Sequence, residues 1–117
     1  MRASSRDKLV TATGLSRGGT KNNDVNKFMF YVYILISLKD LNLYTGYTHD
    51  LKKRYKQHCL GEVVSTKHRR PLKIIHYEVY VLKDDVERRE KYLKTSDGKR
   101  DIKRQLSSTL KQFRAVV

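Results

Sequence analysis

The chain is short of cysteine and proline, and it has no long apolar run. Its one cysteine, Cys59, cannot form an internal disulfide and offers no cysteine-based metal framework. No apolar stretch approaches the ~20 residues that a membrane-spanning helix needs, and the N-terminus has no apolar signal region. These absences argue against a membrane-spanning or secreted protein, and we expect the protein to be cytoplasmic.

Acidic residues are also scarce. Lys and Arg outnumber Asp and Glu by 26 to 12, which gives a formal net charge of +14. This excess favours a polyanionic partner, either nucleic acid or an anionic membrane surface. The stretch 51–73 holds eight basic residues and one acid, and a phosphate backbone would bind there without distinguishing DNA from RNA. The candidate contacts are Lys52, Lys53, Lys67, Arg69, Arg70 and Lys73.

The apolar pattern indicates one domain with a tail at each end, as a chain of 117 residues allows. Residues 1–27 are predicted to be a flexible basic leader, because they have Ser, Thr, Gly and Asn clusters and no apolar periodicity. The domain covers residues 28–110, and a short tail follows over 111–117. Met29 directly precedes the first strand and is an alternative start.

The first part of the domain has strand signals. Residues 30–36 are β-branched or aromatic and apolar on both faces, which is typical of a central strand. Residues 43–48 form the second strand of a hairpin, and a third strand covers 72–82. Pro71 directly precedes it and suits the start of a strand.

Helical patterns follow each part of the sheet. His49 and Asp50 supply capping chemistry for a helix that starts near residue 51 and ends at Gly61. Asp84 or Asp85 caps a second helix that runs to about residue 95. Residues 96–98 break this helix, and a third covers 99–110. The order β-β-α-β-α-α predicts an α/β sandwich with a small, mainly antiparallel three-stranded sheet flanked by helices.

The first helix is amphipathic. At about 100° per residue, one face carries Leu51, Tyr55, His58 and Cys59 inward, with Arg54 at its border. Arg54 and His58 therefore lie on adjacent turns, where they can share a phosphate. The alternative is a solvated arginine beside a half-buried core histidine.

Two tyrosines of the hairpin are predicted to share one face. If the turn is centred between Leu38 and Lys39, then Tyr33 and Tyr44 lie almost opposite each other, with Cβ atoms roughly 5 Å apart. They either pack, because tyrosine is favoured in strands, or line one site with two phenols. Gly46 indicates close approach of the backbone to a helix or a ligand.

Glu90 lies on the apolar face of the second helix, with Val86 and Leu93. A charged carboxylate there costs several kcal/mol unless something compensates for it. A bound cation would do so, and so would an ion pair with Arg54 or another basic residue. Glycine-rich phosphate loops, paired catalytic carboxylates and a Ser-His-Asp pattern are missing.

These residues occur in an order that resembles the GIY-YIG nuclease family. Tyr31-Val32-Tyr33 and Tyr44-Thr45-Gly46 stand at the two signature triplets, with three of six letters changed. Arg54 lies ten residues after the second tyrosine, His58 four further, and Glu90 on a later helix, as in the family. The chain resembles the small stand-alone bacterial members, which are similar to the N-terminal nuclease domain of the excinuclease C subunit.

The resemblance implies a metal-dependent DNA endonuclease, with branched or damaged DNA in repair or recombination as the candidate substrate. Glu90 would be the lone protein ligand of a divalent metal, Mg²⁺ or else Mn²⁺. Arg54 would neutralise phosphoryl charge, and Tyr33, Tyr44 or His58 would help to deprotonate the attacking water. The late asparagine of many members is missing, since no Asn follows Asn42.

A different class remains open. The degenerate triplets would also suit a non-catalytic nucleic-acid-binding module with the same fold, whereas the intact Tyr33, Tyr44, Arg54 and Glu90 favour an enzyme. A structural RNA-binding protein would need an exposed aromatic platform for base stacking. The aromatic residues of this chain are expected to be mostly buried.

Overall fold

The computed structural model describes residues 29–115, so the predicted leader, residues 1–27, lies outside the described residues. The predicted fold class and element order are confirmed, with the last predicted helical region divided into two helices. No helix in the described part of the chain is long and apolar enough to cross a membrane. The elements are β1 (Phe30–Ser37), β2 (Leu43–Thr48), α1 (Leu51–Cys59), a 3₁₀ turn (Lys67–Arg69), β3 (Leu72–Tyr80), α2 (Lys83–Leu93), α3 (Ser96–Gln105) and α4 (Ser107–Ala115).

The sheet has the order β2-β1-β3, and both pairings are antiparallel. β1 is central and is covered on both faces, as its two-sided apolar pattern predicts. Val32 and its neighbours on one face pack against the later helices, which form the larger core. Tyr33 and Leu35 on the other face form a smaller core with Tyr55 of α1. The two faces of β1 therefore pack into different cores, and the predicted site residues of the hairpin belong to the smaller one.

The hairpin register differs from the predicted one. Tyr33 pairs with Gly46, and Tyr44 pairs with Leu35, so the predicted register, in which the two tyrosines lie almost opposite each other, is wrong by two residues. The turn is longer than predicted, because Leu41 adopts the left-handed region, with φ 61°, before the pairing of β1 with β2 begins. A shift of two residues keeps each side chain on its face, since side chains alternate along a strand. Tyr33 and Tyr44 are thus diagonal neighbours on the same face.

α1 begins and ends close to the predicted residues. The Asp50 side chain accepts a hydrogen bond from the backbone N–H of Lys53 at 3.1 Å and caps the first turn. After the helix, Gly61 takes a positive φ of 79°, which favours glycine. His58 occupies the buried position of the last turn. Cys59 is exposed, so its predicted inward position is wrong. Cys59 follows the buried His58 and lies about 100° further around the helix, which turns its side chain away from the sheet.

α2 starts one residue before the predicted caps. Leu82 is the N-cap residue and makes no side-chain cap hydrogen bond. Asp84 and Asp85 therefore lie in the first turn of the helix and do not cap it. Their negative charge is favourable there, since it lies beside the positive end of the helix dipole.

The predicted break at residues 96–98 is wrong, because these residues form the first turn of α3. The Thr95 hydroxyl accepts a hydrogen bond from the backbone N–H of Gly98 at 3.0 Å, which caps the new helix. Leu106 separates α3 from α4. α4 continues to Ala115, past residue 110, and its Phe113 packs against the larger core.

Candidate active site

Three of the predicted site residues form one aromatic cluster. The ring centroids of Tyr33 and His58 are 5.6 Å apart, and those of Tyr44 and His58 are 5.3 Å apart. The two tyrosine rings are 6.5 Å apart. The imidazole from α1 therefore packs against both hairpin phenols, which joins the helix to the sheet at the predicted site.

Both ring nitrogens of His58 have hydrogen-bond partners. Nε2 lies 2.8 Å from Tyr33 Oη, and Nδ1 lies 2.7 Å from Thr66 Oγ1. The residue is 0% exposed, and burial, with the nearby charge of Arg54, lowers the pKa of His58 to about 4. A neutral imidazole satisfies both partners, because Nε2 accepts from the phenol while Nδ1–H donates to the threonine hydroxyl.

The two hairpin phenols differ in access to solvent. Tyr33 is 1% exposed, whereas Tyr44 is half-buried. Burial raises the pKa of Tyr33, and the nearby guanidinium of Arg54 opposes that shift. Tyr33 therefore stays protonated at neutral pH and donates to His58. Tyr44 is the phenol of this pair that a water molecule or substrate reaches more easily.

Gly46 makes room for Tyr33. A Cβ atom added at this glycine would lie 2.5 Å from Tyr33 Oη and 2.7 Å from its Cζ. Such distances are below van der Waals contact, so a side chain at position 46 would displace the phenol. The expectation that Gly46 serves a helix or a ligand is wrong, because the close neighbour is the paired tyrosine across the strands.

Arg54 lies beside an open cavity of about 480 Å³, which we call the arginine cleft. Tyr47, Asp50 and Lys53 also line it. The guanidinium donates from Nη1 to the Gln57 side chain at 3.2 Å, which orients it along the helix. Lys83 lines the cleft as well, so three cationic side chains meet in one open cavity that could hold a phosphate.

Glu90 of α2 brings a carboxylate to the same region. Its side chain is 17% exposed, and its Oε2 atom lies 2.9 Å from Nζ of Lys94. The ion pair expected as one alternative therefore exists in the structure, and its partner is Lys94. Burial raises the pKa of Tyr33, the hydrogen bond to Glu87 raises that of Tyr47, and the charge of Glu90 adds to both shifts.

A second basic cavity lies beside Tyr44. This cavity, about 340 Å³ in volume, is lined by Tyr44 together with Lys94, Lys99 and Lys103, and we call it the lysine cavity. Lys99 and Lys103 are four residues apart on α3 and so lie on the same side of the helix. Neither lysine was predicted as a contact from the sequence, although their spacing on a basic helix was visible.

The predicted nucleic-acid contacts fall into two groups. Lys52 and Lys53 are exposed at the start of α1, near the arginine cleft. The 3₁₀ turn with its flanking residues lies at the hairpin turn instead, where Ser37 Oγ donates to the Arg69 carbonyl at 2.6 Å. The basic residues of the stretch 51–73 are therefore divided between the start of α1 and the hairpin turn. The second group comprises Lys67, Arg69, Arg70 and Lys73.

Arg69 is partly committed to internal contacts. Its guanidinium donates to the Leu43 carbonyl at 3.4 Å and lies 3.8 Å from the Asp40 carboxylate. Arg70 similarly donates to the Lys67 carbonyl at 3.0 Å. The Arg69 contacts hold the turn against the hairpin, and the Arg70 bond closes the turn itself, so both arginines stabilise the structure in addition to any contact with phosphate.

Polar contacts that were not predicted from the sequence hold α2 against the sheet. Arg89 donates to both carboxylate oxygens of Glu78 on β3, at 2.9 and 3.1 Å. Burial opposes ionisation of Glu78, but hydrogen bonds from Arg89, His76 and Tyr80 outweigh it and lower the pKa to about 2. Because Glu90 follows Arg89 directly, this contact also fixes the position of Glu90. No sequence pattern pairs a strand glutamate with a helical arginine.

The aromatic side chains are less buried than expected. Tyr77 on β3 is 54% exposed, although the sequence predicted that the aromatics would mostly be covered. β3 is an edge strand, and α1 covers only the part of it that includes Leu72 and Ile74. This end of the sheet therefore presents tyrosine rings to solvent.

Comparison with known proteins identifies the family of this chain. The family model described as the GIY-YIG catalytic domain matches residues 29–104, which span every predicted catalytic residue. The chain belongs to the GIY-YIG family. GIY-YIG domains are generally nucleases that act on DNA and typically use a divalent metal.

The relatives are small stand-alone GIY-YIG proteins. A UPF0213 protein of Clostridium perfringens is 43% identical over 67 residues, which are 56% of this chain and 71% of that protein. A UPF0213 protein of Staphylococcus haemolyticus is 38% identical over 74 residues, 62% of this chain and 89% of that protein. One of Haloquadratum walsbyi is 36% identical over 78 residues, 66% and 84% of the two chains. No solved structure matches the chain significantly.

Proposed function

We propose that this GIY-YIG domain is a metal-dependent endonuclease that hydrolyses DNA phosphodiester bonds. The observation that carries the proposal is the convergence of Tyr33, Tyr44, Arg54, His58 and Glu90 where α1 and α2 meet the hairpin. Branched or damaged DNA, met in repair or recombination, is the substrate we propose, as the resemblance to excinuclease C indicates.

Glu90 suits a divalent metal, Mg²⁺ or Mn²⁺. Among residues 29–115 there is no cluster of three or more His, Cys, Asp or Glu side chains that could hold an ion. The family resemblance implies that Glu90 would be the one carboxylate that the protein contributes. Mg²⁺ accepts such a site, because it keeps several waters and binds substrate phosphate. The partner of Glu90 is also easily displaced, since the Lys94 side chain is 52% exposed and can turn into solvent. The bound ion would stabilise negative charge on the leaving oxygen.

The side chains around Glu90 have separate parts in the proposal. Arg54 lies in the open cleft, so its guanidinium neutralises charge on the phosphoryl oxygens. Tyr44 is the phenol with access to solvent, and it binds and orients the attacking water. His58 is fully buried and touches neither water nor substrate. His58 positions Tyr33 through the 2.8 Å hydrogen bond. These two buried residues form a rigid support for Tyr44 and Arg54.

Glu90→Gln tests the proposal. The substitution keeps the side-chain volume and removes the charge, so Mg²⁺-dependent nicking of a supercoiled plasmid should fall by orders of magnitude. Affinity for DNA should stay or rise slightly. The free energy of unfolding should fall by less than about 1 kcal/mol, because the half-exposed Lys94 is left in water and not buried without a partner.

Glu62→Gln is the matched control. Glu62 is exposed in the loop after α1, so this variant removes the same charge away from the site and should nick normally. Full nicking by the Glu90→Gln protein would refute the metal-ligand assignment. Wild-type protein that binds DNA tightly but does not nick it with Mg²⁺ or Mn²⁺ would support the alternative, a non-catalytic binding module with three altered signature letters.

A further inference from the structure

A third cavity lies on the exposed end of the sheet, next to the arginine cleft. It has a volume of about 370 Å³, and Tyr31, Tyr55 and Tyr77 line it together with Ile74. We call it the tyrosine pocket. Lys52 stands at its margin. The lining is thus aromatic and aliphatic with a cation beside it, which differs from the two basic cavities.

The rings of the tyrosine pocket are available to a ligand. Tyr31 and Tyr77 meet edge to face, with centroids 6.2 Å apart and an angle of 64°, so the ring that contributes its edge keeps both of its faces free of the other ring. Tyr77 is the more exposed of the two, at 54%. Burial raises the pKa of both Tyr31 and Tyr55, so these phenols are uncharged at neutral pH. Neutral aromatic surfaces of this kind favour planar aromatic partners.

The tyrosine pocket and the arginine cleft share a wall. His49 and Asp50, which join β2 to α1, line both cavities. The adjacent lysines divide between them, since Lys52 lines the pocket and Lys53 lines the cleft. A ligand that places a phosphate in the cleft can therefore extend its adjacent group toward the tyrosine rings.

We propose that the tyrosine pocket is a subsite for one unpaired nucleobase adjacent to the phosphate bound in the arginine cleft. The inference deepens the proposed function, because it gives the same site a substrate with an unstacked base. A nucleic acid is the occupant that fits both neighbours, since it joins anionic phosphates to flat aromatic groups and the protein has a net charge of +14. A paired base within a duplex cannot enter, because its faces are covered by its neighbours.

Binding measured without metal tests the subsite independently of cleavage. The probes are a fluorescein-labelled single-stranded 16-mer and the blunt duplex of the same sequence, both in EDTA. Tyr77→Ala should weaken binding of the single strand roughly five- to hundredfold, the range that stacking on one aromatic ring provides. Binding of the duplex should change less than about twofold, and Tyr77→Phe should bind both as the wild type does.

Two controls separate stacking from other effects. A strand of the same length built from stable abasic nucleotides keeps the phosphates but has no bases, so Tyr77→Ala should not alter its affinity. Tyr92→Ala removes a solvent-exposed tyrosine of α2 outside the pocket and should leave all three affinities unchanged. Equal losses for single strand and duplex, or a loss that persists on the abasic strand, would overturn the subsite.

The alternative occupant is a second copy of this chain. Sedimentation that shows a dimer lost in Tyr77→Ala would assign the tyrosine pocket to self-association and would also overturn the proposal. The subsite and the nuclease proposal fail separately. Plasmid nicking without base-dependent binding refutes only the subsite, whereas base-dependent binding without nicking refutes only the nuclease.

Discussion

At the scale of single residues, burial determines the protonation state of His58 and therefore its role in the site. An exposed imidazole at this position would exchange protons with water near neutral pH. Here the ring is fully buried between two tyrosines, and both its nitrogens are engaged. Its neutral form is favoured, so it acts as a hydrogen-bond acceptor for Tyr33 over most of the pH range. Protonation of His58 should therefore lower the stability of the folded protein as well as its activity.

The first prediction concerns stability against pH. Because burial lowers the pKa of His58 to about 4 in the folded protein, against about 6.5 in the unfolded chain, the unfolded state takes up a proton first as the pH falls. The free energy of unfolding should therefore decrease from pH 6.5 down to about pH 4, by up to about 3 kcal/mol. Urea unfolding at a series of pH values measures this slope.

The His58 contribution can be isolated by two variants. His58→Gln should flatten the slope between pH 4 and 6.5, whereas His68→Gln, which removes an exposed histidine, should not. Glu78 interferes less, since its own contribution is lost between its unfolded pKa of 4.5 and its folded pKa of about 2, which lies mostly below this window. A slope that survives in His58→Gln would contradict the assignment.

At the scale of elements, the pairing of β1 with β2 sets the geometry of the site. Gly46 is the cross-strand partner of Tyr33, and the phenol lies over the glycine. This contact fixes the height of Tyr33 above the sheet, and with it the hydrogen bond to His58.

Gly46→Ala should therefore damage both folding and activity. Its Cβ atom would lie 2.5 Å from Tyr33 Oη, so the buried phenol must move, at a cost of about 1–3 kcal/mol of unfolding free energy. Chemical denaturation measures the loss, and plasmid nicking should fall with it. The double variant with Tyr33→Phe removes the clashing oxygen and should recover part of the stability. Wild-type stability in the single variant would disprove the close contact.

Sequence patterns predicted most of these elements, because apolar periodicity reports burial directly. β1, the start of α1 and the order of elements were confirmed. The register was wrong by two residues, since the left-handed Leu41 lengthens the turn and a leucine gives no signal for that conformation. The break predicted at residues 96–98 was wrong for a related reason. Thr95 caps a new helix there, and the pattern of Ser, Asp and Gly suits a turn and a first helical turn equally well.

The candidate site was predictable in its residue types and less so in its surroundings. Tyr33, Tyr44, Arg54 and Glu90 could be selected from spacing and resemblance. Their exposure could not, because it depends on which helix covers which end of the sheet. The sequence therefore left the two phenols equivalent, and it gave no sign of the exposed Tyr77.

At the scale of the whole molecule, the positive charge is arranged on both sides of the proposed site. The lysine cavity lies on one side of Tyr44, and the arginine cleft with Lys53 lies at the start of α1. A DNA backbone that crosses the site would contact both, over a length of several phosphates. Affinity should then depend steeply on salt, because each neutralised phosphate releases counterions.

The last prediction uses this arrangement to locate the DNA. Lys99→Gln with Lys103→Gln removes two charges from the lysine cavity, so the slope of log affinity against log salt should become shallower by about 1.8 for duplex DNA. Lys91→Gln with Lys111→Gln removes the same charge from exposed helix positions that do not line this cavity, and should leave the slope nearly unchanged. Equal slopes for both double variants would mean that the backbone does not cross the lysine cavity. The contacts on that side would then have to come from Lys67 and Arg70 at the hairpin turn.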